Sequence, residues 1–261
     1  MNRIEERMKA LKETKEKALI TYMTAGLPDM KHTIEIIKAQ EKAGVDVIEL
    51  GIPFSDPVAD GPVIQDASYR SIQKGTNLTM VLEAVKELRK DCEVPLIFMM
   101  YYNTILHYGV EAFVTECKNA GVDGLIVPDL PYEEQYEIKE YLTEDAPILI
   151  QLVSPVSKDR IPMIVNDARG FVYCVSSMGV TGQSATFHEN VTTYLKKVKE
   201  QAPVPVMMGF GIRTAADVLP QKDVIDGAIV GSAFIRLMEE HQYDLSVIAD
   251  YIKTFKAEMN Q

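Results

Sequence analysis

The chain has 261 residues, 47% of them hydrophobic and 25% charged, with a formal net charge of −11. That composition is ordinary for a globular protein, and the excess of acid excludes a nucleic-acid binder, which needs a basic face. No apolar run approaches the ~18 residues of a membrane span, and the charged, periodic start MNRIEERMKALKETKEK has no apolar centre or cleavage site, so no signal peptide is expected.

Ile4, Met8 and Leu11 recur at helical spacing and predict an amphipathic helix over 3–14, leading into a strand at 18–24. A helix over 31–43 stops at Gly44, and a strand follows at 45–50. The stripe of Leu78, Val81, Leu82, Val85 and Leu88 predicts a helix over 77–89, before a strand at 95–101. Next come a helix over 110–120, a strand at 122–127, a helix at 133–142, a strand at 147–152, a short helix at 160–167 and a strand at 170–176. The last units are a helix at 191–200, a strand at 204–208, a helix at 215–219, a strand at 228–230, and helices at 232–239 and 244–255.

Eight short apolar strands, each followed by a helix, imply a parallel sheet, and eight such units in about 250 residues imply a closed (β/α)₈ barrel. We therefore expect a single barrel domain over 1–261, with an extra N-terminal helix and a short extra helix after strand eight. The dinucleotide fingerprint of an open doubly wound sheet is missing after the first strand. The text AGVD occurs at 43–46 and again at 120–123, each time as helix end, glycine cap and strand start.

In a barrel the loops after the strands hold the active site. The densest such loop is VIELGIPFSDPVADGP at 47–62, where Glu49, Asp56 and Asp60 are held among Pro53, Pro57, Pro62, Gly51 and Gly61. Prolines and glycines fix the direction of a loop and so can aim its side chains. Glu49 and Asp60 suit general acid–base work, and Glu49, in an apolar mouth, should hold its proton above the ordinary carboxyl range. Spacing alone equally admits Glu49 in a structural ion pair and Asp60 as a turn residue.

Glycine motifs at 179–182 (GVTG), 209–211 (GFG) and 231–233 (GSA) follow strands six, seven and eight. Backbone N–H groups of such turns and helix starts can cradle a phosphate whatever the global charge. No lysine sits at a strand end for a Schiff base. His32, His107, His188 and His241 show no zinc-like spacing and are expected at the surface. Cys92, Cys117 and Cys174, odd in number and without metal-like spacing, are expected as core residues in a reducing cytoplasm. The strand text MMYY at 99–102, with Tyr22, Tyr173 and Phe210, would either wall an aromatic ligand or simply fill the core.

With ELGIPFSDPVADGP at 49–62, MMYYN at 99–103, PDLP at 128–131, GVTG at 179–182, GFGI at 209–212 and GSA at 231–233, the chain resembles the tryptophan synthase α-subunit family over essentially its whole length. The resemblance implies a lyase that cleaves indole-3-glycerol phosphate by a retro-aldol step to indole and glyceraldehyde 3-phosphate. It assigns acid–base work to Glu49, the indole N–H to Asp60, and the positioning of the glutamate to Tyr173. Gly182, Gly211, Gly231 and Ser232 match the phosphate site. Tyr22, Ile64, Met99, Tyr101, Ile126, Pro128 and Phe210 match the indole pocket. It implies no cofactor in this chain, and a β-subunit partner carrying pyridoxal phosphate in an α₂β₂ heterotetramer. Pro53, Asp56, Pro57, Asn103, Asp129 and Pro131 match the docking surface. Two departures stand out, Tyr22 where members can carry Phe, and Ser177-Met178 where many have Arg and a small residue. The other readings are a stand-alone lyase, a mainly allosteric partner subunit, and a different phosphate-binding barrel such as an isomerase.

Overall fold

Nine short parallel strands make one continuous sheet in the computed structural model, which describes residues 2–175, 185–209 and 211–261 (backbone alone for 158 and 185–190). They are β1 (Ala18–Thr24), β2 (Val47–Gly51), β3 (Leu96–Met99), β4 (Gly124–Ile126), β5 (Ile148–Leu149), β6 (Gln151–Val153), β7 (Val172–Val175), β8 (Val206–Gly209) and β9 (Gly227–Val230). The spatial order is β5-β4-β3-β2-β1-β9-β8-β7-β6. Its two edges, β5 and β6, are parted in the chain by Ile150 alone, whose N–H donates to the Leu125 carbonyl at 2.9 Å. The two pieces are therefore one barrel strand, the fifth, broken in the middle, and eight rungs close on themselves as expected.

The helices are α1 (Arg3–Thr14), α2 (Met30–Ala43), α3 (Pro62–Gln73), α4 (Leu78–Leu88), α5 (Tyr102–Tyr108), α6 (Val110–Ala120), α7 (Tyr136–Lys139), α8 (Ile161–Asn166), α9 (Ala185–Gln201), α10 (Ser232–Glu240) and α11 (Leu245–Met259). Strand side chains alternate between two cores. Leu19, Ile48, Phe98, Leu125, Val172, Met208 and Val230 face outward into the layer shared with the helices. Ile20, Val47, Ile97, Ile126, Ile150, Phe171, Met207 and Ile229 face inward and pack with Ile4, Met8 and Leu11 of α1. The extra N-terminal helix thus plugs the lower end of the barrel, which leaves the upper end, at the strand C-termini, for ligands.

The AGVD echo has a structural cause. Gly44 and Gly121 cap α2 and α6 with φ of +92° and +83°, a left-handed conformation that glycine adopts at no steric cost. The aspartates then clamp neighbouring strands. Asp46 donates its N–H to the Leu19 carbonyl (3.0 Å) and accepts the Leu19 N–H on its side chain (2.7 Å). Asp123 does the same with Leu96 (2.9 and 2.8 Å), and Asp226, outside the echo, with Val206 (2.8 and 2.7 Å). Cations neutralise each one: Arg7 and Lys256 at Asp46, Arg3 and Arg89 at Asp123, Lys199 at Asp226. Arg3 and Arg7 belong to α1, so the clamps also seat the plug.

Two helices of the C-terminal mouth, α3 and α5, are additional to the pattern read from sequence. The buried face of α3 is Ala67, Ser68 and Ser71, which makes no apolar stripe. The expected helix at 133–142 is instead a 3₁₀ turn (Tyr132–Glu134) followed by the single turn of α7. That at 215–219 is two 3₁₀ turns, Ala215–Asp217 and Leu219–Gln221. α10, the helix after the eighth barrel strand, runs as expected from Ser232.

Candidate active site

Glu49 is the cross-strand partner of Tyr22 on β1 and of Ile97 on β3, so all three point into the barrel. It is 2% exposed, and its buried Oε2 has no hydrogen-bond partner among the described residues. Burial pushes the Glu49 carboxyl up to about 8, with the charge of Asp60 adding to the effect. No cation pairs with it among the described residues, so the ion-pair alternative left open by the sequence has nothing to support it.

Asp60 arrives on the loop between β2 and α3. Burial raises its carboxyl to about 6, opposed by a hydrogen bond from Tyr101. The Tyr101 hydroxyl donates to Asp60 Oδ2 at 2.9 Å and accepts the Ala59 N–H at 2.9 Å. Its ring stacks on Phe54 of the same loop, with centroids 5.1 Å apart at 21°. Two carboxyl groups therefore lie close enough to feel each other, both raised by burial and Glu49 the further, an arrangement that suits acid–base chemistry.

Two inward tyrosines complete the wall, each leaning over a glycine of the next strand. A Cβ on Gly51 would lie 2.0 Å from the Tyr22 hydroxyl, and one on Gly209 would lie 2.5 Å from the Tyr173 ring. Tyr22 is buried and Tyr173 half-buried, and desolvation, with the charges of Glu49 and Asp60 adding to it, raises both hydroxyls far above the ordinary phenol range. They remain neutral donors. Among the described residues the Tyr22 hydroxyl finds Thr24 Oγ1, at 3.4 Å. Ile64 lies in the first turn of α3, Met99 ends β3 and Ile126 ends β4, with Pro128 just beyond. Apolar and aromatic groups thus line the mouth that the carboxyls face.

On the other side, Gly231 caps the N-terminus of α10 with no side-chain hydrogen bond, and Ser232 opens the helix. A Cβ on Gly231 would sit 3.8 Å from Tyr22 and 3.9 Å from Ile64, so this helix start adjoins the apolar wall. Gly211 has a φ of +76° and open space around it. Uncapped N–H groups at a helix start suit an anion. Gly182, Phe210 and the Ser177-Met178 pair lie outside the described residues.

Of the residues expected to dock a partner, Asp56, Asn103, Asp129 and Pro131 are exposed, and Pro53 and Pro57 are partly so. Asp129 also accepts the Tyr102 N–H at 2.9 Å, which ties the loop after β4 to the start of α5. Val58, 81% exposed at the tip of the Asp60 loop, was not singled out from sequence. Nor were Phe54 and Ser68, whose relation exists only through folding. His107 and His241 are exposed and His32 partly so, and the three cysteines are buried and free. Among the described residues no cluster of His, Cys, Asp or Glu is arranged to hold a metal ion.

The family model described as tryptophan synthase alpha chain matches residues 8–261. The tryptophan synthase alpha chain of Lachnospira eligens is 61% identical, covering all of both chains. That of Alkaliphilus metalliredigens is 46% identical over 95% of this chain and 93% of its own length. Among solved structures, tryptophan synthase subunit alpha from Legionella pneumophila superposes with a TM-score of 0.90 at 34% identity, covering 99% of this chain and 98% of that one. The chain belongs to the tryptophan synthase alpha chain family.

Proposed function

We propose that the barrel mouth carries out the alpha-chain half-reaction, cleavage of indole-3-glycerol phosphate to indole and glyceraldehyde 3-phosphate, with Glu49 and Asp60 as its proton-handling pair. The observation that carries the assignment is geometric: Glu49 faces inward from β2, buried and with no hydrogen-bond partner for Oε2 among the described residues, while Tyr101 holds the Asp60 carboxyl on the adjoining loop. Burial raises both carboxyls, Glu49 the further, which suits Glu49 as the proton donor. Glu49 gives its proton to indole C3. The resulting cation is stabilised by the Asp60 carboxylate at the indole N–H. Glu49, now a carboxylate, takes the proton of the side-chain hydroxyl on the carbon attached to C3. The bond to C3 breaks, its electrons return to the ring as indole, and the hydroxyl carbon leaves as the aldehyde. The protonated ring is itself the electron sink, so the reaction needs only these two groups and their orientation.

Tyr173, neutral and half-buried beside Glu49, is the positioning residue for the glutamate. Tyr22, Ile64, Met99, Tyr101, Ile126, Pro128 and Phe210 form the indole pocket. Gly182, Gly211, Gly231 and Ser232 hold the phosphate, for which the uncapped start of α10 beside Tyr22 and Ile64 is the supporting geometry. A β-subunit partner belongs with this family. The exposed loop around Pro53, Asp56, Pro57 and Val58, with Asn103, Asp129 and Pro131, is its docking surface in an α₂β₂ assembly, with pyridoxal phosphate on the partner. One barrel domain over 1–261 in the cytoplasm is the consistent setting. Three free, buried cysteines support it, and no helix among the described residues is long and apolar enough to cross a membrane.

The test is release of glyceraldehyde 3-phosphate from indole-3-glycerol phosphate, alone and with titrated β subunit. Slow turnover that rises and saturates with the partner is expected. Fast turnover indifferent to it would make the chain a stand-alone lyase, and none under either condition would remove Glu49 and Asp60 from the chemistry.

A further inference from the structure

Asp60 is delivered by a ten-residue loop, 52–61, that has little regular structure of its own. At its start, Ile52 donates to the Met99 carbonyl at 2.9 Å. At its end, Gln65 Nε2 donates to the Asp60 carbonyl at 2.9 Å. Between them the strongest restraint comes from Ser68 on α3. Its hydroxyl accepts the Phe54 N–H at 2.7 Å and donates to the Phe54 carbonyl at 2.8 Å. Ser68 is 4% exposed, so water does not compete for either bond. A single side chain that satisfies both backbone groups of one residue fixes that residue's orientation, and with it the direction of its ring.

The Phe54 ring is only partly buried, and its stacking partner is Tyr101. The Tyr101 hydroxyl in turn holds Ala59 and the Asp60 carboxylate. The contacts form a closed circuit. It leaves α3 at Ser68, crosses the loop start, passes through Tyr101 at the end of β3, and returns to the loop just before α3 begins.

We propose that Ser68 is a positioning residue for the lyase reaction, its hydroxyl setting the place of the Asp60 carboxylate through the Phe54 backbone and the stacked Tyr101 ring. The proposal rests on the reading of Asp60 as the group that meets the indole N–H. The groups facing Asp60 are Glu49 from β2, Tyr22 from β1, Tyr101 from the end of β3 and Tyr173 from β7, and no cation pairs with it among the described residues. Loosening the circuit weakens the one hydrogen bond that opposes burial. Asp60 then holds its proton to higher pH, and the carboxylate loses its alignment.

The experiment measures kcat and KM for indole-3-glycerol phosphate from pH 5 to 9, with the β subunit present. The proteins are the full chain, Ser68→Ala, Ser68→Thr and Asp60→Ala, with circular dichroism to follow the fold. Ser68→Ala is expected to lower kcat about ten-fold through misalignment, with KM changed less than about two-fold. The acidic limb should move to higher pH by about half a unit. Ser68→Thr, which keeps the hydroxyl, should recover most of the loss. A Ser68→Ala profile that superimposes on the parent, while Asp60→Ala is inactive, overturns the positioning role and leaves Asp60 in place. Near-normal turnover of Asp60→Ala removes the reading on which the role rests. If Ser68→Ala does not fold, Tyr101→Phe opens the circuit at its other end, and an acidic limb unmoved in that variant overturns the proposal.

Discussion

Among the described residues Glu49 has no charged or hydrogen-bonded partner at Oε2, and it sits 2% exposed; that burial sets both its chemistry and its cost. With Glu49 protonated below about 8 and Asp60 ionised above about 6, kcat/KM should follow a bell centred near neutral pH, with limbs at those two values. A profile flat from pH 5 to 9 would contradict the pairing. Glu49→Gln should reduce turnover by at least about 10²-fold, the usual scale of a lost acid–base residue. The same variant should be more stable in alkali. An unfolded glutamate releases its proton near 4.5, whereas folded Glu49 keeps it to about 8. Between those values the folded state holds the extra proton, so stability falls as pH rises, with no penalty below the window and the full penalty above it. Thermal melts should therefore show Glu49→Gln gaining on the order of 4 kcal/mol at pH 8.5 and little at pH 4.5. Gly51→Ala tests the wall beside it. A Cβ 2.0 Å from the Tyr22 hydroxyl must displace that ring, at about 1–3 kcal/mol of overpacking and with a fall in kcat/KM.

At the scale of elements, α1 shows how the lower barrel is tied together. Asp46 is fully buried and receives Arg7, Lys256 and the Leu19 N–H together. Removing only the carboxylate strands all three, so Asp46→Ala should cost about 3–5 kcal/mol in urea unfolding. A loss under 1 kcal/mol would mean the plug is held by its apolar face alone. The echo at 43–46 and 120–123 made two of these positions visible in the sequence. The third, Asp226, stands in a different local text, yet makes the same reciprocal bonds. α3 and α5 were not visible, because α3 buries alanine and serine while α5 has only Ile105 buried. Ser68, the residue on which the Asp60 loop turns, lies on that unmarked helix.

For the whole molecule, the proposed chemistry lies at one end and the ties that hold the barrel at the other. The upper mouth keeps a buried carboxyl with no cation beside it among the described residues, two inward tyrosines and an exposed loop tip, while the lower end is closed by α1 and the aspartate clamps. Val58 at the tip is 81% exposed, so it contributes little burial to the fold. Val58→Asp is therefore expected to weaken acceleration by the β subunit at least about ten-fold in half-saturating concentration, the scale of one lost interface anchor, while turnover of the chain alone stays unchanged. Equal half-saturation for the two proteins would place the docking surface elsewhere.

The barrel was legible in the sequence, because strand and helix periods are local properties repeated eight times. So were Glu49 and Asp60 as candidates, because one lies near the end of a strand and the other follows in a loop that proline and glycine punctuate. Folding alone leaves Glu49 without a cation among the described residues, sets Tyr22 and Tyr173 in the space left by Gly51 and Gly209, and gathers Phe54, Ser68 and Tyr101 around the Asp60 loop. Each of those depends on which atoms from distant segments meet and how far water is excluded. Burial and partnership are sums over neighbours from several strands, and no single stretch of chain encodes them.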